Sequence, residues 1–184
     1  MTTVYLVRHG EAAASWGEDP DPGLSELGHQ QALAARDQLV QNNSASRLEL
    51  ISSPLLRARE TAQPLARALK KTVRIDDRFR EIPSPVPIEE RQTWLRRFMR
   101  QTWAEQDEPL HAWRSAILQG ICSLDAESVI FSHFLVINAI VGEHKGAEKT
   151  LVAWPANASI SRIEVEQGKI QHVELGEQIE SRVN

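Results

Sequence analysis

Short β-branched runs alternate with helical stripes along this chain, and that alternation limits the architectures open to it. Residues 3–7 (TVYLV), 48–51 (LELI), 73–75 (VRI) and 128–132 (SVIFS) read as buried strands. Behind the first, Ser25 can cap a helix that puts Ala32, Ala35 and Leu39 on one face. Behind the second, Leu55, Ala58, Ala62, Leu65 and Leu69 recur at helical spacing. Pro64 falls inside that stripe and predicts a kink or a restart near Thr61. Strand–helix alternation implies an α/β fold: a three-layer sandwich, its central sheet mostly parallel, with helices on both faces.

The rest of the chain varies the theme. Pro83, Pro85 and Pro87 force an extended connection (EIPSPVP). A helix over 90–106 would place Trp94, Leu95, Phe98 and Thr102 on one side. A second, over 110–124, would carry Leu110, Trp113, Ile117, Ile121 and Leu124. A short apolar helix is expected over 134–141, then two strands over 159–165 and 169–175, joined at Gln167 and Gly168. One domain is expected over 1–176, with a helical insertion near 88–124 and a frayed tail over 177–184.

Composition narrows the partners. The chain has 184 residues and a formal net charge of −4, which argues against a general nucleic-acid binder. No apolar run approaches a membrane span, and the N-terminus lacks a signal-peptide pattern. The single cysteine, Cys122, reads as a buried thiol in a reducing compartment, so a cytoplasmic location is expected. His29, His111, His144 and His172 show no metal-ligand spacing; they read as surface or structural, and no metal or other cofactor is implied.

In open α/β sheets, ligands gather beyond the carboxyl ends of the strands. Arg8 and His9 follow the first strand, Arg57 and Arg59 the second, Arg78, Arg80 and Glu81 the third, and His133 the fourth. Two histidines, several arginines and a carboxylate would meet at one edge. Guanidinium groups recognise phosphate oxygens in a planar, bidentate way, so such a pocket fits a phosphate.

These motifs resemble those of the histidine phosphatase superfamily, in its phosphoglycerate-mutase-like branch. LVRHGE resembles the family signature; GLSELGHQQA, SSPLLRARETA, the SH pair ending at His133 and NASISRIEVEQGKI resemble later family segments, in order and over most of the chain. The resemblance implies a phosphoglycerate-mutase-like fold and a metal-independent phosphomonoester hydrolase. In that reading His9 is the nucleophile and forms a phosphohistidine. Arg8 and Arg57 clamp the phosphate, His133 is a further phosphate ligand and stabiliser, and Glu81 is the general acid and base. The substrate would be a phosphorylated small molecule or a phosphoprotein, with no nucleic acid or membrane involved.

Two positions depart from the family pattern. Phe134 stands where the branch usually has glycine after the second histidine. Ser15 stands where mutases place a phosphate-binding asparagine, and serine could fill that role only weakly. The short chain and Ser15 lean toward hydrolysis; a phosphoglycerate-type mutase and a non-catalytic phospho-ligand or protein-binding module are the alternatives. Glu81 could instead pair with Arg78 or Arg80, Arg59 reads as structural, and Trp94, Trp103 and Trp113 read as core packing. Helices inserted after Glu81 could cap the pocket, with Arg91, Arg96 or Arg97 setting the leaving-group preference.

Overall fold

A computed structural model describes residues 1–14, 19–42 and 47–179. In chain order the elements are β1 (Thr2–Arg8), α1 (Glu26–Asn42), β2 (Glu49–Ser52), α2 (Leu56–Leu69), β3 (Val73–Ile75), α3 (Ile88–Phe98), α4 (Glu108–Cys122), β4 (Ser128–Ser132), α5 (Phe134–Lys145), β5 (Ile160–Glu166) and β6 (Lys169–Glu174). Short 3₁₀ turns occupy Asp77–Phe79 and Trp103–Glu105. The strands form one sheet in the order β3-β2-β4-β1-β5-β6. β1, β2, β3 and β4 run parallel; β5 is antiparallel to β1, and β6 to β5. The parallel strands therefore end along one edge, where the chain turns into its first loop, α2, the 3₁₀ turn before Glu81, and α5.

Alternation along β1 explains the layers. Val4 and Leu6 enter one apolar cluster with residues of α3, α4 and α5, while Val7 and its neighbour Tyr5 join the other, with residues of α1 and α2. Helices thus cover both faces. The α5 segment 134–142 is buried throughout and apolar apart from Asn138, whose amide donates to the Phe134 carbonyl and accepts from the Val152 and Ala153 N–H groups. Ser25 caps α1 as expected: its hydroxyl accepts from the Gly28 N–H at 3.0 Å and donates to Glu11 at 2.7 Å. Gln167 and Gly168 both take left-handed backbone angles, φ 51° and 71°, the geometry of a tight hairpin.

Several expectations are corrected. α2 continues through Pro64 without a restart. An interior proline costs about 3 kcal/mol, and the buried stripe Ala58, Thr61, Ala62 and Leu65 on both sides of it holds the helix together. α3 stops at Phe98, so Thr102 is not on its face. Thr102 instead opens the second 3₁₀ turn in a capping box with Glu105, and pairs with Lys149. Cys122 is only partly buried, at the end of α4. Of the tail expected to fray, 177–179 is tied to 154–156, with Ala156 N–H to Glu177 O at 2.8 Å and Ile179 N–H to Trp154 O at 2.7 Å. Residues 180–184 lie outside the described residues.

Candidate active site

His9 begins the loop after β1, and its geometry is set by glycine. Its Nδ1 lies 2.6 Å from the Gly10 carbonyl oxygen. That contact places the proton on Nδ1 and leaves a lone pair on Nε2. Gly10 sits against the first turn of α1. A Cβ there would strike the Gly28 carbonyl oxygen, and a Cβ at Gly28 would strike the Glu11 carbonyl oxygen. The Gly10 N–H is held by Thr61 Oγ1 at 3.0 Å, and that hydroxyl donates to the Arg57 carbonyl at 2.7 Å. One threonine of α2 thus fixes the His9 loop to the turn carrying Arg57.

Arg57 Nε approaches His9 Nε2 at 3.3 Å. The ring of His133 lies 5.3 Å from that of His9, centroid to centroid. His133 starts α5 at the end of β4, and its Nε2 is 2.7 Å from Ser53 Oγ. Arg8 donates from Nη1 to the Pro155 carbonyl at 2.7 Å, and its guanidinium lies 5.1 Å from the centre of the Phe134 ring. Two buried nitrogens here, Arg8 Nε and His133 Nδ1, have no hydrogen-bond partner among the described residues. Buried polar nitrogens without partners mark places where a ligand or water completes the set.

Glu81 follows the first 3₁₀ turn and is 7% exposed. The Ile82 N–H reaches one carboxyl oxygen at 3.0 Å, and the Leu135 N–H, in the first turn of α5, reaches the other at 3.4 Å. The Glu81 carboxyl makes no ion pair with Arg78 or Arg80. Those arginines bind Asp76 and Asp77 at 2.6 and 2.8 Å. Trp113, read as core, donates its indole N–H to the Arg80 carbonyl at 3.0 Å, which ties α4 to the segment that carries Glu81.

Burial and charge act together on these groups. Burial pushes both His9 and His133 well below the ordinary value of 6.5, and cationic Arg57 and Arg8 push the same way. His9 and His133 are therefore neutral near pH 7. Burial raises the Glu81 carboxyl, against the pull of the Ile82 N–H and Arg57. Burial lowers Arg8 to about 10, which leaves it cationic at neutral pH.

The sequence-predicted residues Arg8, His9, Arg57, Glu81 and His133 meet at one sheet edge. Ser15 lies outside the described residues. Arg59 is exposed, apart from the group. Ser53, Thr61 and the Phe134 ring also support the site; the first two fall in SSPLLRARETA and the third departs from the family pattern, yet the sequence does not indicate the contacts their side chains make. Asp21, 4.0 Å from Arg57, belonged to a loop with no readable pattern. No group of three or more His, Cys, Asp or Glu side chains placed to hold a metal occurs among the described residues. Nor is any helix among them long and apolar enough to cross a membrane.

Known proteins resemble this chain in sequence or in fold. Probable phosphoglycerate mutase GpmB of Salmonella choleraesuis is 27% identical over 199 aligned positions, covering 92% of this chain and 87% of the relative. Among solved structures, Bacillus stearothermophilus YhfR superposes with a TM-score of 0.75 at 22% identity, covering 95% of this chain and 96% of the other. Phosphoserine phosphatase from Entamoeba histolytica, in complex with 3-phosphoglyceric acid, gives 0.71 at 23% identity, with coverages of 95% and 97%. Mycobacterial glucosyl-3-phosphoglycerate phosphatase gives 0.70 at 21%, with coverages of 96% and 98%. At these identities the structures speak for the fold. The sequence model of the histidine phosphatase superfamily (branch 1) matches residues 4–178, from β1 to beyond β6, and the chain belongs to that superfamily.

Proposed function

We propose that the chain is a metal-independent phosphomonoester hydrolase that works through a phosphohistidine on His9. One observation carries this reading: His9 commits Nδ1 to the Gly10 carbonyl while its Nε2 faces Arg57, so the attacking nitrogen is neutral and directed. Relatives with mutase and phosphatase names support the reaction class.

In this reading the His9 Nε2 lone pair attacks phosphorus. The bond from phosphorus to the leaving oxygen breaks, and Glu81 gives that oxygen its proton. Arg57 shifts its Nε–H from the His9 lone pair to a phosphate oxygen. Arg8 and His133, each with an unpartnered buried nitrogen, take the others. Phosphoryl transfer asks mainly for such positioning and charge stabilisation. Glu81, now ionised, removes a proton from water; the hydroxide attacks phosphorus, the P–N bond breaks, and His9 is restored. A carboxyl raised by burial suits both steps, because it holds a proton closer to neutral pH. Depressed His9 keeps its lone pair available as the pH falls.

The substrate in this reading is a phosphorylated small molecule, with a phosphoprotein as the variant that an open mouth would admit. A phosphoglycerate-type mutase is the second reading, favoured by the near-complete burial of His9 and His133, which keeps water from a phosphohistidine.

Hydrolysis of para-nitrophenyl phosphate in EDTA, wild type beside His9→Ala, is the test. Turnover by wild type and its loss in the variant is expected. Turnover that survives His9→Ala overturns the phosphohistidine. If neither hydrolyses the ester but wild type interconverts phosphoglycerates, the mutase reading replaces this one.

A further inference from the structure

A cavity of about 310 Å³ opens beside Glu81 and Arg57, the two members of the site that line its wall. Its size is at the lower end for a small-molecule site. Most of the wall is apolar: Leu55, Ile82, Pro83, Val86, Ile88 and Leu95. Ile88, Arg91 and Leu95 lie on the inner side of α3, so the inserted helix forms one wall of the cavity rather than standing apart from it. A phosphoryl group on His9 would direct its leaving group past Glu81 into this space.

One charge in the wall lacks a counter-ion. Arg91 donates to the Ile82 carbonyl at 3.1 Å and makes no ion pair within 4.0 Å among the described residues. Arg80, also in the wall, is bound to Asp77. Asp19, the remaining wall carboxylate, is exposed and accepts from the Asp21 N–H at 2.9 Å. The countercharge nearest in effect to Arg91 is Glu81, which the reaction needs protonated when the leaving group departs. Until that proton is given up, Arg91 is a half-buried cation facing a largely apolar chamber with no carboxylate paired to it. Guanidinium in such a place calls for a carboxylate.

We infer that this cavity is the leaving-group subsite and that it takes a compact apolar group bearing one carboxylate, held by the Arg91 guanidinium. The inference rests on the hydrolase reading for its orientation, and on the cavity wall for its chemistry. Arg91 then sets specificity, while Arg8 and Arg57 serve the phosphate. Arg96 and Arg97 are absent from the wall and take no part.

The test compares 4-(carboxymethyl)phenyl phosphate with its neutral isostere, 4-(carbamoylmethyl)phenyl phosphate. The two esters match in size, and the methylene keeps their leaving oxygens similar in basicity. Wild type should favour the carboxylate by about tenfold in kcat/KM. Arg91→Gln should bring that ratio close to one, and Arg91→Lys should keep part of it. Taking the ratio within each variant cancels any general loss of activity or folded fraction. Titration with 4-hydroxyphenylacetate, the dephosphorylated product, reads the subsite without catalysis. Binding that weakens in Arg91→Gln while neither ester turns over supports the subsite and removes the hydrolase reading. No preference in wild type, or a preference that Arg91→Gln leaves intact, overturns the inference.

Discussion

Two groups of arginines stand at the same sheet edge and do different work. Arg74 and Arg78, at and just after β3, both close on Asp76, at 3.0 and 2.6 Å. Arg78 holds that carboxyl below its ordinary range, and Asp76 in turn raises Arg78. Arg8 and Arg57 instead meet a carbonyl, an aromatic face and a histidine nitrogen, with Asp21 only at 4.0 Å from Arg57. A cation saturated by a carboxylate holds the fold. A buried cation without one is held in place by the fold and, in the proposed hydrolase, receives the phosphate.

The contrast breaks most visibly at Arg57. Arg57→Ala is expected to lower kcat/KM for para-nitrophenyl phosphate by about a hundredfold to a thousandfold. Its thermal midpoint should hardly fall, since the one carboxylate it pairs with, Asp21, is 4.0 Å away and open to solvent. A large loss of stability with a small loss of activity would invert the comparison.

Gly28→Ala tests the packing beneath the site. The new methyl meets the Glu11 carbonyl, so the loop carrying His9 must move. We expect about 1–3 kcal/mol of destabilisation in denaturant titration, with a fall in kcat alongside it.

Acid pH should loosen the phosphate side selectively. His9 and His133 have folded pKa values below their ordinary 6.5. The unfolded chain therefore binds more protons as pH falls below that value, and stability drops. Glu81 is shifted upward, so the stability linked to its proton is present at low pH and lost as pH rises through its folded pKa. Melting curves from pH 7 to pH 5 should show a falling midpoint, and His133→Asn should flatten the fall. An unchanged slope in that variant would assign the acid sensitivity elsewhere.

Arg78→Ala should cost about 1 kcal/mol, because its ion pair is partly open to solvent. Its kcat/KM should stay within a small factor of wild type. Arg59→Ala is the smallest change: the side chain is exposed, and both stability, within about 0.5 kcal/mol, and activity should hold. A marked activity loss at Arg59 would mean that α2 presents two arginines to the phosphate.

Much of this was legible from pattern. Short β-branched apolar runs set the strands, helical stripes set α1 and α2, and strand-end positions located Arg8, His9, Arg57, Glu81 and His133. What pattern missed depends on contacts between distant segments. Arg78 and Arg80 read as members of the convergent set because sequence counts charges without pairing them. Ser53 reaches His133 across 80 residues, and Thr61 reaches Gly10 across 51. The continuation of α2 through Pro64 shows the same limit, since proline is a local penalty and the stripe that outweighs it is a tertiary gain.

The sequence by itself determined the strand–helix order, the two apolar faces of the sheet and the identity of the residues at its carboxyl edge, because periodicity and turn chemistry act over a few residues. Only the tertiary structure decided which charges are spent on partners and which are left open, where Glu81 is buried, and that α3 walls a cavity around Arg91. Those outcomes depend on distance and burial, which residues far apart in the chain acquire only when the sheet brings them together.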